Sequence, residues 1–171
     1  MRRIAILAAL ALVAGCESFP YGAPWAAANL QPTKGNTASE EVTFAQSGGK
    51  VRVVAGVTGL RPGREHGFHI HEVGDCSSGD GMSTKGHFNP HGKPHGYHGS
   101  SERHAGDLPA LVADARGRAR LEVEMDIVTV SAGPASVVGR GLIVHADPDD
   151  YRTQPTGNAG ARIACAVIQA R

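Results

Sequence analysis

His69-Ile70-His71, inside the run Gly67-Phe68-His69-Ile70-His71, decides how this chain is read. Side chains on a β-strand alternate with a period of two, so His69 and His71 share one face while Phe68 and Ile70 point the other way, into a core. Two imidazoles held side by side on a rigid strand make half of a transition-metal site. His87, His95, His104, Asp107 and His145 follow at spacings that can complete it.

Outward from that strand, short runs of strand character alternate with turn clusters. The candidates are Ala26–Leu30, Glu41–Gln46, Val51–Thr58 and Gly67–His71, then Leu108–Ala113, Ala119–Glu124, Gly141–Val144 and Ile163–Ile168. Ala119-Arg120-Leu121-Glu122-Val123-Glu124 alternates cleanly, apolar inward and charged outward. Ser47-Gly48-Gly49-Lys50 and Asp114-Ala115-Arg116-Gly117 read as hairpin turns. The pattern predicts an all-β domain, an eight-stranded barrel or sandwich. Two long irregular stretches, about 72–106 and 146–161, hold nearly all the metal-type residues. Loops of that length without function are uncommon.

The chain has 171 residues, enough for one domain. Its net charge of +1 and the absence of any basic run argue against a nucleic-acid partner. Arg2 and Arg3 precede an apolar stretch, Ile4 to Val13, too short to span a bilayer as a helix. Val13-Ala14-Gly15-Cys16 then resembles a bacterial lipobox. Residues 1–15 are therefore read as a removed lipoprotein signal peptide, and 16–25 as a tether carrying lipid on Cys16. Residues 26–171 form the domain. An ordinary secretory signal with Cys16 incidental is the alternative. Either reading exports the protein to an oxidising compartment, the bacterial periplasm and cell envelope. With Cys16 lipidated, Cys76 and Cys165 remain as a pair for one disulfide. Two free buried thiols are the other possibility.

His87, His95, His104 and Asp107 offer three imidazoles and one carboxylate, a reasonable closed tetrahedral set for Zn²⁺. His69, His71 and His145 offer nitrogen ligands for copper, and His87 can serve both metals. At this point the chain resembles the copper–zinc superoxide dismutases. The resemblance is carried by Gly67-Phe-His-Ile-His-Glu-Val-Gly-Asp-Cys76, Gly86-His-Phe-Asn-Pro90 and Glu102-Arg-His-Ala-Gly-Asp-Leu108. Gly139-Arg-Gly-Leu-Ile-Val-His145 and Gly157-Asn-Ala-Gly-Ala-Arg-Ile-Ala-Cys165 extend it in the family's order.

That resemblance implies a Greek-key β-barrel or sandwich with two long metal-site loops, and a superoxide substrate. It implies copper, cycling between Cu²⁺ and Cu⁺, on His69, His71, His87 and His145. It implies Zn²⁺ on His87, His95, His104 and Asp107, with His87 as the bridge. His87 would leave copper on reduction and take a proton. Arg162 matches the arginine beside copper, which attracts and orients the anionic substrate. Asp149 matches the carboxylate linking a histidine at each metal, here His69 and His95. Cys76 and Cys165 match the family's disulfide. A non-enzymatic copper-binding or delivery domain on the same scaffold is the alternative, which an absent copper ligand or Arg162 would favour; none is absent.

His66 is expected to be a hydrogen-bonded structural residue, Asp75 a turn residue, and His91 and His98 solvent-exposed. Lys85, just before Gly86-His87, is a candidate for drawing the anion inward. The stretch from His145 to Arg162 is shorter, and that from Cys76 to His87 longer, than in animal members. Both resemble the bacterial exported branch, in which monomer and homodimer both remain open.

Overall fold

The computed structural model describes residues 23–171; the expected signal peptide, the expected lipid site Cys16 and the expected tether as far as residue 22 lie outside the described residues. The strands are β1 (Trp25–Pro32), β2 (Glu40–Ser47), β3 (Lys50–Val57), β4 (Glu65–His66) and β5 (Phe68–His71). After them come β6 (Leu111–Val112), β7 (Ala119–Met125), β8 (Gly141–His145), β9 (Arg162–Val167) and β10 (Gln169–Ala170). One 3₁₀ turn, Met82–Thr84, is the sole helical element among the described residues. The main sheet runs β5-β8-β9-β1-β2-β3-β7, with β10 paired to β1, and every pair in it is antiparallel. The first three strands form a meander. The chain then crosses to the far edge for β5, returns to lay β7 beside β3, and crosses again to lay β8 beside β5. These long crossovers are the Greek-key move.

The local reasons are those of a half-buried pleated sheet. Along β7, exposed Arg120, Glu122 and Glu124 alternate with inward Ala119, Leu121, Val123 and Met125. Across the β3–β7 pair, Lys50 meets Glu124 at 2.7 Å and Arg52 meets Glu122 at 2.8 Å. Gly48 and Gly49 close the β2–β3 hairpin between the paired Ser47 and Lys50. β5 and β8 differ: every residue in both is buried. Phe68, Ile70, Leu142 and Val144 enter the core with Phe44 and Phe88, leaving the histidines of β5 on the opposite face, under the loops.

Three expectations are corrected. Leu108–Ala113 was expected as a strand, but only Leu111–Val112 is one, and it pairs with β4 outside the main sheet. Pro109 lacks the N–H that a ladder needs, and Asp107 is already held by the histidine cluster. The tether boundary at residue 25 also shifts, because Trp25 opens β1 opposite Ala45. His98, expected in solvent, is half-buried, whereas His91 is exposed.

A Cys76–Cys165 disulfide, with Cα atoms 5.9 Å apart, fastens the first long loop to β9 across 89 residues. By the chain-entropy argument a closure of that length is worth about 4–5 kcal/mol, and measured values often fall lower. Replacing both cysteines by alanine is expected to lower unfolding stability by about 2–5 kcal/mol in urea titration. An unchanged midpoint would contradict a stabilising role for the cross-link.

Candidate metal centre

The centre is built on the outer edge of β5. The first long loop adds to that edge: Phe88 N–H donates to Ile70 C=O, Ile70 N–H to Gly106 C=O, and Glu72 N–H to Gly86 C=O. These bonds set His87 opposite His71 and Asp107 opposite His69. The approach is possible because residue 106 is glycine; a Cβ there would lie 2.2 Å from the Ile70 carbonyl oxygen. His145 arrives from β8, whose register slips between Val144 and His145. A bulge at a strand end re-aims the side chain that follows it.

The result is two buried groups: His69, His71, His87 and His145, and His87, His95, His104 and Asp107. Within each, the ligand-type atoms lie within 4.8 Å of one another. His87 belongs to both. The hydrogen bonds show how well a metal would fit. In the first group each ring has one nitrogen engaged. His69 Nε2 meets Asp149 at 2.7 Å, His71 Nδ1 meets the Lys85 carbonyl at 2.9 Å, His87 Nδ1 meets Asp107 at 2.9 Å, and His145 Nδ1 meets the Gly160 carbonyl at 3.2 Å. The other nitrogen of each ring, His69 Nδ1 and Nε2 of His71, His87 and His145, is buried and has no partner among the described residues. Buried polar atoms are seldom left this way. A single cation ligated by all four removes the deficit.

In the second group the nitrogens crowd one oxygen. Asp107 Oδ1 lies 2.9 Å from His87 Nδ1, 3.0 Å from His95 Nδ1 and 3.6 Å from His104 Nδ1. Asp107 Oδ2 is fixed by the backbone N–H groups of Gly96 and His104. Three imidazole nitrogens and a carboxylate oxygen around one point fit a tetrahedral Zn²⁺. His66 Nε2 and Arg103 Nε are also partnerless, but they belong to neither group.

Electrostatics follow the same division. Burial pushes His71 well below its ordinary value, His87 down to about 4 and His145 down to about 3, so these rings rest in the neutral form that ligates metal. Burial acts the same way on His95, but Asp107 and Asp149 on either side outweigh it and raise that ring to about 9. Burial alone would raise the Asp107 carboxyl. Hydrogen bonds from His104, His87 and His95 hold it far below the usual carboxylate range. Asp149 is likewise depressed, by His69 and His95 against the effect of burial.

Asp149 joins the groups. Its Oδ2 accepts from His69 Nε2 at 2.7 Å and its Oδ1 from His95 Nε2 at 2.9 Å. Neighbouring Asp150 instead caps its own turn at Thr153. Gly157 leaves room for this contact, since a Cβ there would fall 1.9 Å from Asp149 Oδ1. Arg162, at the start of β9, donates to the carbonyls of Gly81 and Lys85 and to Thr84 Oγ1. His66 donates from Nδ1 to the His145 carbonyl at 2.8 Å, and Asp75 caps the Ser77 turn.

Two residues that sequence reading missed are Thr84 and Gln154. Gln154 accepts from His95 N–H and donates to His95 C=O, at 2.8 and 2.9 Å. No periodicity or spacing marks such contacts. Lys85 was singled out for its charge, yet its carbonyl is what holds both Arg162 and His71.

Asp149→Asn keeps the shape but offers an N–H₂ where one histidine needs an acceptor. It is expected to weaken zinc binding by about 10–100-fold in chelator competition. An unchanged affinity would show that Asp149 does not orient the ligands.

The chain's likeness to known proteins agrees with this geometry. Residues 38–168 match the profile of a family described as copper/zinc superoxide dismutase (SODC). A superoxide dismutase [Cu-Zn] 2 of Aquifex aeolicus (strain VF5) is 40% identical over 146 residues, 83% of this chain and 85% of that protein. A superoxide dismutase [Cu-Zn] of Paramecium bursaria Chlorella virus 1 is 41% identical over 143 residues, covering 80% and 73%. A superoxide dismutase [Cu-Zn] 2 of Brassica juncea is 46% identical over 134 residues, covering 74% and 86%. The crystal structure of the clock protein EA4 superposes with a TM-score of 0.78 at 41% identity, over 89% of this chain and 98% of that one. With a matching profile over most of its length and a buried two-group centre sharing one histidine, the chain belongs to the copper/zinc superoxide dismutase family.

Proposed function

We propose that His69, His71, His87 and His145 hold copper, that His87, His95, His104 and Asp107 hold zinc, and that Arg162 orients the substrate in this superoxide dismutase. The observation that carries the assignment is the set of four partnerless buried nitrogens, one of them on the ring whose other nitrogen faces Asp107. The reaction converts two superoxide anions and two protons into dioxygen and hydrogen peroxide. Copper, when bound, supplies the one-electron redox cycle, which zinc does not.

The chain's own residues do the rest. Arg162 is half-buried, with one guanidinium edge tied to the Gly81–Lys85 turn, so it presents fixed positive charge to a small anion without reorganising. The Asp107 side anchors His87 at Nδ1. Its Nε2 can then take up a proton and pass it to reduced oxygen while the ring stays in place. Asp149 and the Lys85 and Gly160 carbonyls fix the tautomers of His69, His71 and His145, leaving the opposite nitrogen of each as the donor atom.

We also propose that the enzyme acts in the bacterial envelope, anchored by lipid on Cys16, and protects that compartment from superoxide. The lipobox-like Val13-Ala14-Gly15-Cys16 supports this, as does a disulfide, which persists in oxidising compartments.

The direct test compares superoxide removal by protein loaded with both metals with that of a His145→Ala variant. Activity is expected to fall to the metal-free level; equal activity would refute the copper assignment. Mass spectrometry of the N-terminus of membrane-extracted protein is expected to find Cys16 as first residue carrying acyl chains. An unmodified N-terminus would overturn the anchor.

A further inference from the structure

The turn at Gly81–Lys85 contains a hydroxyl that the metal chemistry does not by itself require. Thr84 is completely buried. Its O–H donates to the Gly81 carbonyl at 2.8 Å. The same oxygen accepts from Arg162 Nη1 at 2.9 Å and lies 3.2 Å from His71 Nδ1. His71 Nδ1 also faces the Lys85 carbonyl, which can only accept, so Nδ1 carries the proton and points it at both oxygens. One donor and two lone pairs are all that a hydroxyl has, and each is used. A single oxygen thus joins the substrate-orienting arginine to a proposed copper ligand. Adjacent Lys85 has φ +62°, a left-handed conformation uncommon outside glycine, and its carbonyl makes a further bond to each of the same two side chains.

We infer that Thr84 is a positioning residue for the dismutase reaction. Its hydroxyl fixes the spacing between the Arg162 guanidinium and the His71 imidazole, and so between the bound anion and copper. The inference rests on the assignment of Arg162 and His71 made above. An anion held by Arg162 reaches the metal productively only if guanidinium and imidazole keep one geometry, and small misplacements at such sites are costly in rate. Without the hydroxyl, Arg162 keeps Gly81 and Lys85 as acceptors and His71 keeps Lys85. Both groups stay satisfied, but the Lys85 carbonyl is then the one oxygen that still joins them, and a single shared acceptor leaves their relative orientation less fixed than two.

That redundancy makes Thr84→Val a clean probe. Valine has nearly the same volume and retains the methyl that packs where a Gly141 Cβ would otherwise lie, 2.8 Å from Thr84 Cγ2. No charged or polar group loses its last partner, because the Gly81 carbonyl still receives Arg162 and the backbone N–H of residue 84. The experiment uses the holoenzyme with both metals and azide as the anion, with binding followed by the copper(II) visible spectrum and by electron paramagnetic resonance. Thr84→Val is expected to keep its metal content and thermal midpoint, to bind azide about tenfold more weakly, and to show altered copper(II) parameters. Thr84→Ser, which restores the oxygen but not the methyl, is expected to return azide affinity to within about twofold of the parent.

Equal azide affinity and identical copper(II) spectra in Thr84→Val and the parent would overturn the inference while leaving the site assignment standing. So would a loss of affinity that Thr84→Ser fails to rescue, since the methyl would then be responsible. If Thr84→Val does not fold, the Thr84→Ser and Thr84→Ala pair decides: parent-like affinity in serine with about tenfold loss in alanine supports the inference, and equal affinities overturn it. Failure of the parent holoenzyme itself to take up copper or azide overturns the assignment and the inference together.

Discussion

A buried imidazole has two nitrogens and needs a partner for each. At this site that requirement cannot be met by protein atoms alone. Four rings packed together at 0–7% exposure each satisfy one nitrogen with a carboxylate or a carbonyl. The remaining four nitrogens face no donor or acceptor among the described residues. In a core this dense no rearrangement of rotamers helps, because β5 and β8 fix the backbone and the loops fix the engaged edges. The barrel is in this sense a device for holding lone pairs in a dry place, and ligation of a cation relieves the deficit.

The carboxylates divide the work. Asp107 gathers three imidazoles at one oxygen and locks its own other oxygen to two backbone N–H groups. Asp149 stands outside both groups and ties His69 to His95. His95 is the most constrained of the rings, its side chain held by Asp107 and Asp149 and its backbone held on both sides by Gln154. Through that residue the loop 146–161 grips the loop 72–106. The disulfide then fastens the first loop to β9 near Arg162. Order in the two longest irregular segments therefore comes largely from polar cross-connections and a covalent link, with Phe88 and Ala105 anchoring the first of them in the hydrophobic core beneath.

Regular elements with one face in water were legible. The alternation of β7 and the two-glycine turn at Gly48-Gly49 follow from period and turn chemistry, and the His69/His71 pair follows from strand geometry. Extended character at Leu108–Ala113 was legible as well, but ladder formation was not. Pro109 and the prior engagement of Asp107 decided that outcome, and the second is a tertiary fact. The two groups of ligand-type side chains were visible because metal chemistry restricts donors to a few residue types. Among the residues that orient those side chains, Asp149 was reached through the family resemblance, whereas a glycine that admits a neighbour's carbonyl, a threonine hydroxyl or a glutamine amide looks ordinary in one dimension. Lys85 shows the limit best. Its charge was noticed, and the structure uses its carbonyl.

The central claim is that one ring, His87, serves both groups. It is tested most directly by placing cobalt(II) in the zinc position beside copper(II) and recording the copper electron paramagnetic resonance signal. A shared imidazolate couples the two paramagnetic ions, so the copper signal is expected to vanish or broaden beyond detection as cobalt fills its site. A full, unperturbed copper signal with both sites occupied would contradict the account.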